Sequence, residues 1–419
     1  MRNIFKIKNI LINNNRIDYE YEVSGQWSEY FNLVEKFYVE YSENIEGTPY
    51  GVAAIPLLCN VLPIAWIFDA KILLDEIDKD FYQSISQFKK GYIDMYPKLE
   101  FLGEVKSNKI VKNVQEIGNK SLALFSGGVD AFYTFLSHVN DKPYIATIWG
   151  SDIKLDDIKG WKTVLNHTIE TAELYKVNST WIKSSFRLII DEGKLSSYVY
   201  SRVNDGWWHG FQHGIGLIGH VAPFVYKNNI KKVYIASSFT IKEKGKVTCA
   251  SDPTIDDNVK FCGCSVKHDG YEAARQNKVE FICKYSRENK VNIPLRVCWQ
   301  SSGGSNCCKC EKCYRTIFGI LAEREDPRKY GFNYTDEEFN EILKDLKNRV
   351  FISNFRWEYI QNVFRKNYKK EEVDKNLLWF YKINIDKIDN TLGKRVFIFK
   401  RKGKAILSKI KRRVLLINE

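Results

Sequence analysis

A chain of 419 residues is too long for one ordinary domain, and its 44% hydrophobic and 27% charged residues exclude a disordered or fibrous protein. The net charge of +13 invites a nucleic-acid or membrane reading. Most of it sits at one end, where Lys394, Arg395, Lys400, Arg401, Lys402, Lys404, Lys409, Lys411, Arg412 and Arg413 follow one another without an intervening acid.

Taken from the start, the chain lacks the charged, apolar, small-residue order of a secretory signal, which predicts a cytoplasmic location. Short runs of alternating apolar and polar residues, such as 17–23 and 37–41, predict a strand-rich N-terminal domain over 1–118. The apolar run 52–68 carries Pro56, Asn60 and Pro63 and falls short of the roughly 20 residues a membrane-spanning helix needs. No transmembrane segment is expected, and the run reads as a buried strand-turn-strand. From 121 onward compact apolar runs alternate with helical stretches: a strand over 121–125, a helix over 131–139, and strands over 143–149 and 232–237. That alternation predicts crossovers and a parallel α/β sheet in a second domain, 119–325, with ligands at the carboxyl ends of its strands. The remainder, 326–419, reads as a helical extension ending in the basic tail. With apolar residues such as Phe397 and Leu407 among its cations, the tail suits RNA, acidic lipids or a protein partner, or serves only as a solubilising end.

The most informative stretch is Ser126-Gly127-Gly128-Val129-Asp130. A strand delivers two glycines and a helix follows at once, so main-chain N–H groups approach an anion closely while the helix adds partial positive charge. Phosphate is the natural guest, with Ser126 donating a hydroxyl and Asp130 holding Mg2+ or orienting the loop. A plain tight turn with Asp130 as a helix cap is the other reading.

In its strand-turn-helix context this stretch resembles the Ser-Gly-Gly-x-Asp signature of the PP-loop ATP pyrophosphatase family, with Ala131 where the family has Ser or Thr. The resemblance implies a parallel five-stranded HUP-type sheet with helices on both faces. It also implies cleavage of ATP between its α- and β-phosphates, giving AMP and pyrophosphate through an adenylate. Ile148 and Trp149, ending the next strand, are where that architecture puts adenine contacts.

Four cysteines follow the spacing Cys298-x8-Cys307-x2-Cys310-x2-Cys313, which suits tetrahedral Zn2+, and Cys308 competes with Cys307 for its place. A redox or iron–sulfur role is the rival reading. Downstream of the glycine turn, this spacing resembles the 7-cyano-7-deazaguanine synthase family, which converts a carboxylated deazaguanine to a nitrile with ammonia and ATP. The resemblance spans 121–322 and implies an ATP-dependent ligase that activates a carboxylate, carried on a small molecule or a protein, for attack by an amine. An RNA-modifying PP-loop enzyme and a non-catalytic nucleotide-binding scaffold are the competing readings.

Arg275 and Lys278 lie one helical turn apart and suit a phosphate, Lys278 neutralising charge on the leaving group; a solvated helix face explains them equally well. Asp256 suits a guanine-like edge or a plain loop. His209 and His213, spaced by four beside glycines, read as core histidines in close helix packing, and Cys262 and Cys264 as structural.

Overall fold

The computed structural model describes residues 2–114, 118–298, 303–348 and 355–385. The basic tail, and with it the expected contact to RNA or an acidic surface, lies outside the described residues.

Strands β1 (Ile4–Asn13) and β2 (Arg16–Ser24) form an antiparallel hairpin. Asn14, at φ 51°, supplies the left-handed residue that a two-residue hairpin turn demands. After β3 (Tyr38–Tyr41) the chain enters α1 (Tyr50–Ala53) and α2 (Ile55–Ile67), where a buried strand-turn-strand was expected. This stretch is helical because it is apolar all round: every residue from Ile55 to Trp66 is buried, so no polar face reveals the helical period. Pro56 sits in the first turn, where its missing N–H costs nothing. Pro63 interrupts the interior, and side chains such as Leu57, Leu58 and Leu62, each worth about 1.5–3 kcal/mol when buried, outweigh that defect.

β4 (Lys71–Asp78) runs into α3 (Lys79–Met95), capped by the Asp78 carboxylate accepting from Phe81 N–H, and β5 (Glu104–Val111) follows. Next come β6 (Lys120–Leu124), α4 (Val129–Ser137), β7 (Tyr144–Trp149), α5 (Ile158–Tyr175) and β8 (Ser179–Ser184). A long crossover contains α6 (Glu192–Val203), a π-helical turn at Trp208–Gln212, α7 (His213–His220) and α8 (Ala222–Asn228). It leads to β9 (Ile230–Ala236), α9 (Pro253–Asp256), β10 (Lys260–Phe261) and β11 (Cys264–Asp269).

Among the described residues these strands form one mixed sheet of eleven, ordered β10-β11-β9-β6-β7-β8-β3-β2-β1-β4-β5. The run β11-β9-β6-β7-β8 is parallel throughout. It does not stand alone as the expected five-stranded sheet: β3 pairs antiparallel with β8, Val39 opposite Ser184 and Tyr41 opposite Ile182, and joins the N-terminal strands to it. Unpaired edge strands cost exposed N–H and C=O groups, and this ladder removes one such edge. Helix α7 lies against α2, where a Cβ at Gly219 would come within 2.5 Å of Cys59 Cβ.

The chain divides into two compact units, Met1–Ala274 with Ser301–Ser305, and Arg275–Gln300 with Asn306–Glu419, whereas the sequence suggested divisions after 118 and 325. The second unit holds α10 (Arg275–Asn289), α11 (Glu311–Ala322), α12 (Asp336–Asn348), α13 (Phe355–Asn367) and α14 (Leu378–Lys382). Phe318 of α11 meets Trp357 of α13 and Phe380 of α14, with ring centroids 5.7 and 4.9 Å away. Among the described residues no helix is long and apolar enough to cross a membrane.

Candidate active site and metal centre

In the first unit, β6 is buried on both faces, as a central parallel strand should be, and delivers the glycine turn at its carboxyl end. Gly127 has φ 75°, a conformation that side chains with a Cβ resist, and Gly128 is the cap residue preceding α4. Ser126 is exposed, its Oγ accepting from Gly128 N–H at 3.5 Å, whereas Val129 and Asp130 are buried. Thr147 Oγ1 donates to Phe125 O, tying the strand end that precedes the turn to β7.

Strand order gives this place its meaning. From β6 the chain moves outward to β7 and β8, then returns to the other side of β6 for β9 and β11. The order therefore reverses at the border of β6 and β9, and a reversal of parallel strands opens a crevice beyond their carboxyl ends. The turn at Ser126 and the segment after β9, beginning with Ser237, both leave from that border. The amino end of α4 adds N–H groups and the positive end of a helix dipole.

Ile148 is partly buried and Trp149 is 8% exposed. One face of the Trp149 indole stacks on Trp161 at 5.0 Å, its N–H donates to Lys154 O at 2.9 Å, and Lys183 Nζ lies 4.8 Å from the ring. The structure thus brings Ser126, Gly127, Gly128, Val129 and Asp130 together on one turn, with Ile148 and Trp149 ending the neighbouring strand. Arg275 and Lys278 belong to the second unit, in the first turn of α10, where Lys278 is 1% exposed. A buried lysine is not the solvated helix face that its spacing also allowed.

The second unit holds the cysteines. Cys298, Cys307, Cys310 and Cys313 bring their sulfurs within 4.8 Å of one another. Cys298 Sγ lies 3.9 Å from Cys310 Sγ, and Cys307 Sγ lies 3.9 Å from Cys313 Sγ. Zinc–sulfur bonds of about 2.3 Å in a tetrahedron separate sulfurs by about 3.8 Å, so the four thiols fit a metal ion such as zinc. Local folding explains the arrangement. Cys310 caps α11, its sulfur accepting from Cys313 N–H at 3.5 Å, while Lys309 N–H points to Cys307 Sγ at 3.4 Å. Asn306 fixes the segment carrying Cys298, accepting from Val297 N–H at 2.9 Å and donating to Leu295 O and Gly331 O at 2.7 and 2.9 Å. The neighbouring Cys313 thiol, donating to Cys310, favours the Cys310 thiolate against the cost of burial. Cys308, at φ 52°, turns its sulfur to Asn306 O and Asn333 O, which leaves Cys307 as the member of the four. Arg315 is buried and pairs with Glu311 at 3.5 Å.

Two minor expectations change. Asp256 is fully buried, bonded by Oδ2 to Ser251 Oγ and His268 Nδ1, both at 2.8 Å, so it is a structural carboxylate rather than a free recognition edge. His220 is a core histidine, lowered to about 4 by burial, but His209 is not: its side chain is 46% exposed, with Nδ1 3.0 Å from the Asp205 carboxylate. Asp205 stands four residues before His209, so the pair is local and its spacing was legible in the sequence.

No protein-family model matches the chain, and no curated protein matches it.

Proposed function

We propose that this chain is an ATP-dependent adenylating enzyme of the PP-loop type, which activates a carboxylate for attack by ammonia or another amine. A 7-deazaguanine acid is the first candidate substrate, by the resemblance of the cysteine spacing downstream of the glycine turn. One observation carries the reading: a two-glycine turn, with Gly127 at φ 75°, leaves the carboxyl end of the central parallel strand where the strand order reverses, and a helix begins behind it. Main-chain amides and a helix amino end are what an anion of several charges selects. The order of the five parallel strands, with β6 in the middle, agrees with the HUP-type arrangement that the resemblance implies.

The chemistry follows from that placement. A carboxylate oxygen attacks the α-phosphorus, pyrophosphate departs into the turn, and an amine then displaces AMP. A carboxylate oxygen is a poor leaving group, and adenylation converts it to a good one. Ser126 and the amides of 127–129 would hold the pyrophosphate oxygens, and Asp130 would hold Mg2+, which would supply charge neutralisation. Ile148 and Trp149 flank the adenine. In the second unit, zinc on the four cysteines would hold the loops around α11 in place.

The test is product analysis with ATP, candidate acids and amines. AMP and pyrophosphate should form in equal amounts, and Asp130→Ala should lower their formation by about 100-fold or more. ADP as the product would overturn the reading.

A further inference from the structure

A second set of reactive groups lies in the first unit on segments the adenylation reading does not use. The π-helical turn at Trp208–Gln212 carries His209, and the segment following β9 carries Thr248 and Cys249. Turns of this kind are rare and recur at functional sites. The main chains of the two segments are joined, Ala250 N–H donating to His209 O at 2.8 Å. The Cys249 thiol lies close enough to the His209 and His213 imidazoles for both to favour its thiolate. On its far side His209 Nδ1 meets both oxygens of Asp205, at 3.0 and 3.1 Å. That carboxylate is itself held by Thr248 Oγ1 at 2.7 Å, Gly206 N–H at 2.8 Å and Tyr96 OH at 3.3 Å.

Asp205, His209 and Cys249 thus form a chain of carboxylate, imidazole and thiol, the order in which a nucleophile, its base and the base's orienting group are arranged. A metal site is the competing use of such groups. Among the described residues, only the four cysteines of the second unit bring three or more donor atoms within 4.8 Å of one another, so Cys249, His209 and His213 are too spread for one ion. His213 Nδ1 and Asp256 Oδ1 are buried without a hydrogen-bond partner, and a Cβ at Gly214 would stand 2.5 Å from that Asp256 oxygen. Burial opposes ionisation of Cys249, but the two imidazoles outweigh it and bring the thiol down to about 7. Asp205, then Cys249, hold His209 protonated up to about 10. Against burial, Cys249 and then Asp152 and Asp256 favour the charged form of His213, and Tyr92 of α3 and Tyr96, which follows that helix, also lie near the thiol.

We propose that Cys249 is the nucleophile of a carboxamide-cleaving site, with His209 as its proton carrier and Asp205 as the positioning residue. The Cys249 sulfur bonds to the carbonyl carbon of a primary amide, and the carbonyl electron pair moves to oxygen. When that pair returns, the carbon–nitrogen bond breaks, and the leaving nitrogen takes the His209 proton and departs as ammonia. Water, deprotonated by His209, then cleaves the thioester to a carboxylic acid and restores the thiol. An amide is favoured over an already activated acyl group because the nitrogen needs the proton that Asp205 keeps on His209. A terminal amide is favoured over a peptide bond because Cys249 is only 7% exposed, which suits a chain end better than a continuous backbone. Ammonia so released is the nitrogen that the proposed ligation consumes, a link that rests on that reading, while the cleavage itself needs no ATP.

The experiment uses the full chain without ATP. Iodoacetamide labelling mapped by mass spectrometry should modify Cys249 at pH 7 at least tenfold faster than Cys262 or Cys264, with a midpoint near 7 that moves upward in His209→Gln and Asp205→Asn. Ammonia release from L-glutamine, L-asparagine and other primary carboxamides should fall at least 100-fold in Cys249→Ser, while AMP formation from ATP with supplied ammonia stays unchanged. Labelling of Cys249 no faster than that of Cys262, or a midpoint indifferent to His209→Gln, would overturn the thiolate. A reactive Cys249 with no ammonia released from any amide would overturn the reaction. Neither result bears on AMP formation, so failure here and failure of the adenylation reading remain distinct.

Discussion

The two units use the same side chain to opposite ends. In the second, Cys298, Cys307, Cys310 and Cys313 face one another, and four thiols at tetrahedral separations suit a metal ion and little else. In the first, cysteines stand apart and take their character from other neighbours. Cys262 and Cys264 lie among apolar residues, where burial drives both thiols up, Cys264 to about 12, and leaves them inert. Cys249 is equally covered, yet two imidazoles bring it down to about 7. Burial alone raises a thiol, and its chemistry is therefore decided by whether neighbouring groups offset that burial.

The largest effect that would break this contrast is loss of the metal. Cys310→Ser should reduce bound zinc from about one per chain to near zero, measured by elemental analysis. Loss of about 3 kcal/mol or more would lower the melting temperature by about 10 °C, at about 2–4 °C per kcal/mol for a unit of this size. Cys308→Ser should keep the metal, since its sulfur faces carbonyl oxygens instead.

Gly127→Val should do the reverse. It leaves the zinc content unchanged and lowers AMP formation by about 100-fold, because a β-branched residue at that positive φ costs about 1–3 kcal/mol and pushes the amides out of line. Zinc loss in this variant would show that the turn and the thiols cannot be treated separately.

A subtler test concerns pH. The His209 imidazole is raised to about 10 from an ordinary 6.5, chiefly by Asp205. Its contribution to stability is fully present below about 6.5 and is lost as pH rises towards 10. Denaturant unfolding of His209→Gln should therefore show a stability curve flatter than wild type between those values. The smallest change belongs to Cys262→Ala, about 1 kcal/mol without loss of either chemistry, since that thiol acts as a small buried hydrophobe.

Legibility followed the range of the interactions. The strand before Ser126, the helix after it and the cysteine spacing were readable because each is written in neighbouring residues. The helix α2 was misread because its burial on all sides erased the period by which helix and strand are told apart. The eleven-stranded sheet was invisible because β3 and β8 meet across more than a hundred residues of sequence. His209 looked like a core residue partly for a similar reason: Cys249 reaches it from the segment following β9, whereas Asp205, four residues before it, was within local view.

By itself, then, the sequence determined that a glycine turn follows a strand and opens a helix, and that four cysteines stand at zinc spacing. Tertiary structure alone decided that this turn lies at the reversal of strand order, that Cys307 and not Cys308 joins the four, and that Cys249 stands between two histidines. Local patterns specify conformation through neighbouring backbone dihedrals and side chains, whereas the character of a site depends on groups that the chain brings together only when it closes its core.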